Sequence, residues 1–203
     1  MKIEHLLSSH PLISDQVSKA QVAVILEELE RVGEQGTPGA VVEFGCYIGT
    51  TSLFIRRLLD ALGDDGRELH VYDSFEGLPP KTTADASPAG EQFKAGELSV
   101  SKKQFLTEFK KAGLRPPVIH KGWFNDLTTT DVPETIALAF LDGDFYTSIR
   151  DSLKLVLPRM QPGGAIVIDD YAREALPGVA RAAHELLPGK QIRTAHDLGI
   201  VRL

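Results

Sequence analysis

The chain has 203 residues, 42% of them hydrophobic and 25% charged, with a formal net charge of −6. This describes one soluble globular domain over 1–203 with a substantial core and no room for a second. The 22 Lys and Arg are scattered without a basic block, so neither nucleic acid nor a membrane surface is an expected partner, and small molecules are favoured. One cysteine, Cys46, rules out an intrachain disulfide framework. No apolar stretch has the length of a signal-peptide core or a bilayer span, so a cytoplasmic location is expected.

In chain order, 1–37 is an N-terminal helical segment. Val22, Ile25, Leu26, Leu29 and Val32 follow three-and-four spacing, and Ser14 with Asp15 is the predicted cap. GEQGTPG breaks that helix. Short apolar runs then alternate with helical stretches: AVVEFG, ELHVYDSF, PPVIHKG, IALAFLDGD and GGAIVIDDY read as five buried parallel strands. TSLFIRRLLDALG, SKKQFLTEFKKAG, TSIRDSLKLVLPRM and GVARAAHELLPG read as the intervening and following helices. The alternation predicts a doubly wound α/β sheet. At the end, QIRTAH and IVRL flank DLG as two short strands around a tight turn, adding an antiparallel strand at that margin. Segment 81–101, rich in small and polar residues, is longer than an ordinary strand-to-helix connection and borders the ligand edge, so it reads as a mobile, lid-like insertion.

In an open parallel sheet the ligand lies beyond the carboxyl ends of the strands. The first strand ends in VVEFGCYIGTTS. Gly45 and Gly49 let backbone approach a ligand, and the next helix N-terminus offers free N–H groups. The spacing fits neither GxxxxGK[ST] nor GxGxxG, in which Tyr47 would displace the middle glycine, so a pyrophosphate is not the expected guest. Glu43, buried by the strand pattern, needs a hydrogen bond or a cation. Asp73, ending the second strand, suits both hydroxyls of a ribose, or else a turn. After the third strand, Trp123 is placed to cover an adenine face or to anchor the core, and Asn125 or Asp126 to reach its amino group. The fourth and fifth strands end in LDGDFY and VIDDY. Like charges at Asp142, Asp144, Asp169 and Asp170 call for compensation, which a hard cation such as Mg²⁺ supplies; the alternative is that some of them cap helices. His120 and His184 form no metal spacing, and Cys46 has no activating neighbour in sequence.

The stretches VEFGCYIGTTS, YDSFEGLPP, KGWFND, LDGDFYTSIRDSLKLVLPRMQPGG and IVIDDYA together resemble class I S-adenosylmethionine-dependent methyltransferases, specifically the macrocin and mycinamicin sugar O-methyltransferase family, from about Val41 to Ala183. The resemblance implies a Rossmann-like seven-stranded sheet in the order 3-2-1-4-5-7-6, with strand 7 antiparallel. It implies S-adenosyl-L-methionine held by Glu43, Gly45, Tyr47, Gly49, Thr50, Asp73, Ser74, Gly122, Trp123 and Asp142. It further implies Mg²⁺ or another hard divalent cation on Asp142, Asp169 and Asp170.

Methyl transfer to a small-molecule hydroxyl then follows, with Asp142 and Asp144 as the catalytic pair. Asp144 is a base or metal partner, or else a cap for the helix near Tyr146; His120 is a further candidate base. Glu76, Tyr146 and Tyr171 border the mouth as substrate contacts, and a homodimer is the candidate assembly. Phe145 stands where catechol-type relatives carry a lysine, which favours a sugar-like or natural-product acceptor over a small phenol or other diol. A nicotinamide-cofactor oxidoreductase and a non-catalytic S-adenosylmethionine-binding protein are the rival classes.

Overall fold

β-branched and aromatic residues in the run Ala40–Phe44 form β1, every residue of which is buried, as expected for a strand covered on both faces. The computed structural model describes residues 2–203 and places β1 in a seven-stranded sheet. The other strands are β2 (Leu69–Asp73), β3 (Val118–Lys121), β4 (Ile136–Leu141), β5 (Met160–Ile168), β6 (Arg193–Ala195) and β7 (Leu198–Arg202). Their order is β3-β2-β1-β4-β5-β7-β6, with β1 to β5 parallel and β7 antiparallel to both its neighbours. The antiparallel strand lies one place in from the margin, and β6 is the edge. The hairpin turn is His196–Asp197, both at positive φ (49° and 67°), rather than the expected DLG, whose Leu198 and Gly199 belong to β7. Positive φ at both central residues matches the turn to the right-handed twist of its strands.

Alternation along β1 divides the core. Val41 joins the face covered by α1 (Lys2–Ser9), α2 (Lys19–Glu34), α3 (Thr50–Leu62) and α4 (Lys102–Ala112), whereas Val42 and Phe44 join the face covered by α5 (Tyr146–Val156) and α6 (Pro177–Leu186). The N-terminal helical segment is two helices. α2 starts at Ser18, not at Ser14 and Asp15: the Ser18 hydroxyl accepts the Gln21 N–H, and the Gln21 side chain accepts the Ser18 N–H in return. α3 ends at Gly63 and α4 at Gly113, both left-handed, which releases the chain toward β2 and β3.

Because β1 is followed outward by β2 and β3 while β4 lies on its other side, the chain reverses direction beside β1 and leaves a crevice beyond the β1 and β4 ends. Segment 81–101 crosses that crevice, and it is tied down rather than loose. Leu78 N–H donates to the Glu97 carbonyl and Gly96 N–H to the Leu78 carbonyl, both at 2.9 Å, closing the neck of the loop. Ser87 Oγ donates to the Glu174 carbonyl (2.7 Å). Asp85, 3% exposed, accepts the Tyr146 N–H at 2.6 Å and so caps α5, whose own N-cap residue, Phe145, offers no side-chain acceptor. Among the described residues no helix is long and apolar enough to cross a membrane.

Candidate active site

The crevice holds a cavity of about 530 Å³ lined by the ends of β1, β2, β4 and β5, the turn after β3, the start of α5 and the lid. Gly45, Tyr47, Asp73, Ser74, Trp123, Asn125, Asp126, Asp142, Asp144, Asp169 and Asp170 all line it. Glycine is required at position 45. Its φ is +87°, and a Cβ there would lie 1.8 Å from the Asp142 carbonyl oxygen, so only a bare Cα lets the first loop pass over the end of β4.

Asp73 organises that loop. Its Oδ2 accepts the Cys46 N–H (2.9 Å) and Tyr47 N–H (3.2 Å), and its Oδ1 accepts the Phe75 N–H (2.7 Å). The carboxylate thus already serves as a turn acceptor, and a carboxylate's remaining lone pairs are what it can offer a ligand. Ser74 Oγ is likewise used in its own turn, accepting the Glu76 N–H and donating to the Gly77 carbonyl.

Several expected contacts lie elsewhere. Glu43 is 1% exposed, points toward α3 and accepts a hydrogen bond from Ser52 Oγ. Burial pushes its carboxyl up to about 8, against the Ser52 bond, and the Asp73 charge adds to the rise. Gly49, Gly122 and Thr50 are outside the lining: Gly49 is the left-handed N-cap of α3 packed on Phe105, and the Thr50 hydroxyl bonds Ser14 Oγ at 2.9 Å. The three substrate-contact residues also turn away. Tyr146 OH donates to Glu185 (2.6 Å), Tyr171 OH meets His184 Nε2 (2.7 Å), and Glu76 pairs with Lys121 (3.4 Å). His120 stacks on Tyr72 (ring centroids 4.3 Å apart) and its Nε2 shares a hydrogen bond with His70 Nδ1 at 3.1 Å; burial lowers its pKa, and it does not line the cavity. Burial holds the Cys46 thiol well above its ordinary value, with the Asp73 charge acting in the same direction.

The opposite end of the cavity is acidic. Asp144, Asp169 and Asp170 are 7%, 4% and 5% exposed. Burial raises the Asp142 and Asp144 carboxyls well above the usual range, and the neighbouring aspartates push them further. Burial and the Asp170 charge bring Asp169 up to about 7. Asp170 is raised by burial, although Arg173 donates to its Oδ1 at 2.8 Å. Asp144 caps nothing in α5, whose first N–H goes to Asp85. Among the described residues no three acidic, histidine or cysteine side chains converge closely enough to hold a metal ion. Asp169 and Asp170 instead meet Gln21 and Arg173.

Sequence reasoning missed Gln21 and Arg173, and also Leu78 and Pro79 at the neck of the lid with Phe93 and Leu98 within it, which supply an apolar wall. The Ser18 and Gln21 pairing was readable as a capping box; the reach of Gln21 to Asp169 was not.

A sheet of this order, with its crevice between a glycine turn braced by an acid and a group of aspartates, defines the Rossmann-like methyltransferase fold class. Within that class, the macrocin-O-methyltransferase (TylF) family model matches residues 11–197, and the chain belongs to this family. Two similar relatives are the 8-demethyl-8-(2,3-dimethoxy-alpha-L-rhamnosyl)-tetracenomycin-C 4'-O-methyltransferase of Streptomyces olivaceus and the mycinamicin III 3''-O-methyltransferase of Micromonospora griseorubida. The first is 37% identical over 72% of this chain and 58% of its own length. The second is 33% identical over 77% and 63%. The chain therefore spans less than two thirds of either relative. The solved structure of the O-methyltransferase NovP superposes with a TM-score of 0.79 at 25% identity, covering 92% of this chain and 80% of that one.

Proposed function

We propose that the protein transfers a methyl group from S-adenosyl-L-methionine to a hydroxyl of a sugar-like or natural-product acceptor. The observation that carries this reading is that one cavity joins the Gly45 turn and Asp73 at one end to Asp142, Asp144, Asp169 and Asp170 at the other. The first end suits a nucleoside donor: Asp73 has acceptor capacity for ribose hydroxyls, and Trp123 offers a ring face. The second end suits a hydroxyl that must lose its proton before its oxygen attacks the sulfonium methyl. In that step the methyl–sulfur bond breaks, the methyl–oxygen bond forms, and S-adenosylhomocysteine leaves. Burial and mutual repulsion make Asp144, when ionised, a stronger proton acceptor than an exposed carboxylate, and in that form it takes the hydroxyl proton. The lid, fastened across the crevice, covers the reacting groups and excludes water.

A divalent cation is the finer part of the proposal. The donors are all oxygen and their charges are only partly offset by Arg173, which fits Mg²⁺ chemically on Asp142, Asp169 and Asp170. When bound, it would supply Lewis acidity toward the acceptor hydroxyl. Gln21 and Arg173 take Oδ1 of Asp169 and of Asp170, which leaves Oδ2 of each for such an ion.

The test is mass spectrometry of products after incubation with labelled S-adenosyl-L-methionine, Mg²⁺ and a panel of glycosides and phenols, with calorimetry of donor binding. Asp142→Ala is expected to abolish transfer while donor affinity is largely kept. No donor binding refutes the methyltransferase reading, and full activity in EDTA refutes the metal.

A further inference from the structure

Gln21 lies in the first turn of α2, far along the chain from β5, yet its side chain reaches Asp169 at the end of that strand. Nε2 donates to Asp169 Oδ1 at 3.0 Å. The orientation of a side-chain amide is ordinarily ambiguous, because its nitrogen and oxygen look alike. Here it is fixed: Ser18 N–H, which can only donate, points at Gln21 Oε1 at 2.9 Å, and Ser18 Oγ donates to the same oxygen at 2.7 Å. The nitrogen must therefore face Asp169. Asp169 Oδ1 also accepts the Asp170 N–H at 2.9 Å, so two donors converge on that oxygen and leave Oδ2 for the cavity.

From this arrangement we infer that Gln21 is a positioning residue for Asp169, fixing which carboxylate oxygen faces the acceptor. The segment between α1 and α2 is the support. Ser14 bonds Thr50 at the start of α3, Gln16 lines the cavity, Val17 is buried, and Ser18 holds Gln21. This strap runs from the donor side of the cavity to its acidic side, so the same backbone that backs the first loop also aims the acid. The inference rests on the proposed role of the aspartates in handling the acceptor.

Two substitutions separate positioning from helix capping. Ser18→Ala removes the hydroxyl from the capping box but keeps the backbone N–H that orients Gln21, so it is expected to lower Tm while kcat falls far less than in Gln21→Glu. Gln21→Glu keeps an acceptor for Ser18 N–H but replaces the donor to Asp169 by a like charge. It is expected to lower kcat by about 10- to 100-fold, the usual scale when a ligating or reacting side chain loses its outer partner, with the KM for S-adenosyl-L-methionine unchanged. In crystals, Asp169 is expected to leave its single rotamer in Gln21→Glu and to keep it in Ser18→Ala. If kcat merely follows Tm across both variants, or Asp169 is unmoved in Gln21→Glu, the inference is overturned. Wild-type protein that transfers no methyl group to any acceptor sinks the methyltransferase reading instead, and the rotamer of Asp169 then decides the positioning by itself.

Discussion

Replacing Asp85 by alanine tests whether the lid is fastened through the N-terminus of α5. The buried carboxylate accepts three hydrogen bonds: Tyr146 N–H at 2.6 Å on Oδ1, and Thr82 N–H at 2.8 Å with Thr82 Oγ at 2.9 Å on Oδ2. Gly178 makes room for it, since a Cβ there would stand 2.1 Å from Asp85 Oδ1. Loss of a helix cap costs about 1 kcal/mol. Leaving the Thr82 N–H without a partner adds about 1–3 kcal/mol, for a total of about 2–4 kcal/mol. In a chain of this size each kcal/mol lowers Tm by about 2–4 °C, so Asp85→Ala is expected to melt roughly 4–16 °C below wild type by calorimetry. Asp85→Asn keeps one carbonyl oxygen able to cap α5 and loses only the acceptor for Thr82, so it should fall between the two. Limited proteolysis should cut Asp85→Ala first within 86–99. If Asp85→Ala melts with the wild type and resists proteolysis equally, Asp85 does not fasten the lid.

The pH dependence of stability has a definite sign. Burial raises Asp169 to about 7 and Glu43 to about 8, so the folded chain holds these protons more tightly than the unfolded chain. Their contribution is fully present below the ordinary carboxylate pKa and is lost as pH rises through 7 and 8. Tm should fall between about pH 5 and about pH 8, and Glu43→Gln should flatten the upper part of that fall; a Tm that rises across the window contradicts it. Gly45→Ala adds left-handed strain of about 1–3 kcal/mol to a clash with backbone that cannot swing aside. It should abolish donor binding in calorimetry, and retained affinity would mean that β1 and β4 can separate without harm.

What was legible in the sequence is what depends on local pattern. Short apolar runs and turn residues located five of the strands, and the acids Asp73, Asp142, Asp144, Asp169 and Asp170 were found because they stand at strand ends, where topology brings them together. The direction of a side chain is set by packing, not by position. Tyr146 and Tyr171 follow strand ends too, yet their hydroxyls reach Glu185 and His184 on α6. The cap of α5 was invisible for the same reason, since Asp85 serves Tyr146 from the lid. The start of α2 was misplaced because Ser14, Asp15 and Ser18 are all good caps; only the Gln21 partner three residues on separates Ser18 from the rest.

Four of the parallel strands leave the sheet through a non-glycine residue in left-handed conformation: Tyr47 (φ 46°) after β1, Phe75 (56°) after β2, Asp144 (58°) after β4 and Asp170 (55°) after β5. Each is a place where glycine would relieve strain of about 1–3 kcal/mol, and two of the four are acids of the cavity. A laboratory selection for thermal resistance alone would thus be drawn to these positions, and Asp144→Gly or Asp170→Gly would be rewarded although each takes from the cavity an acid to which a role in the reaction is proposed. Selection for turnover should hold the same positions against that gradient. The ring of left-handed turns is where the sequence's freedom to become sturdier conflicts most directly with its capacity to react.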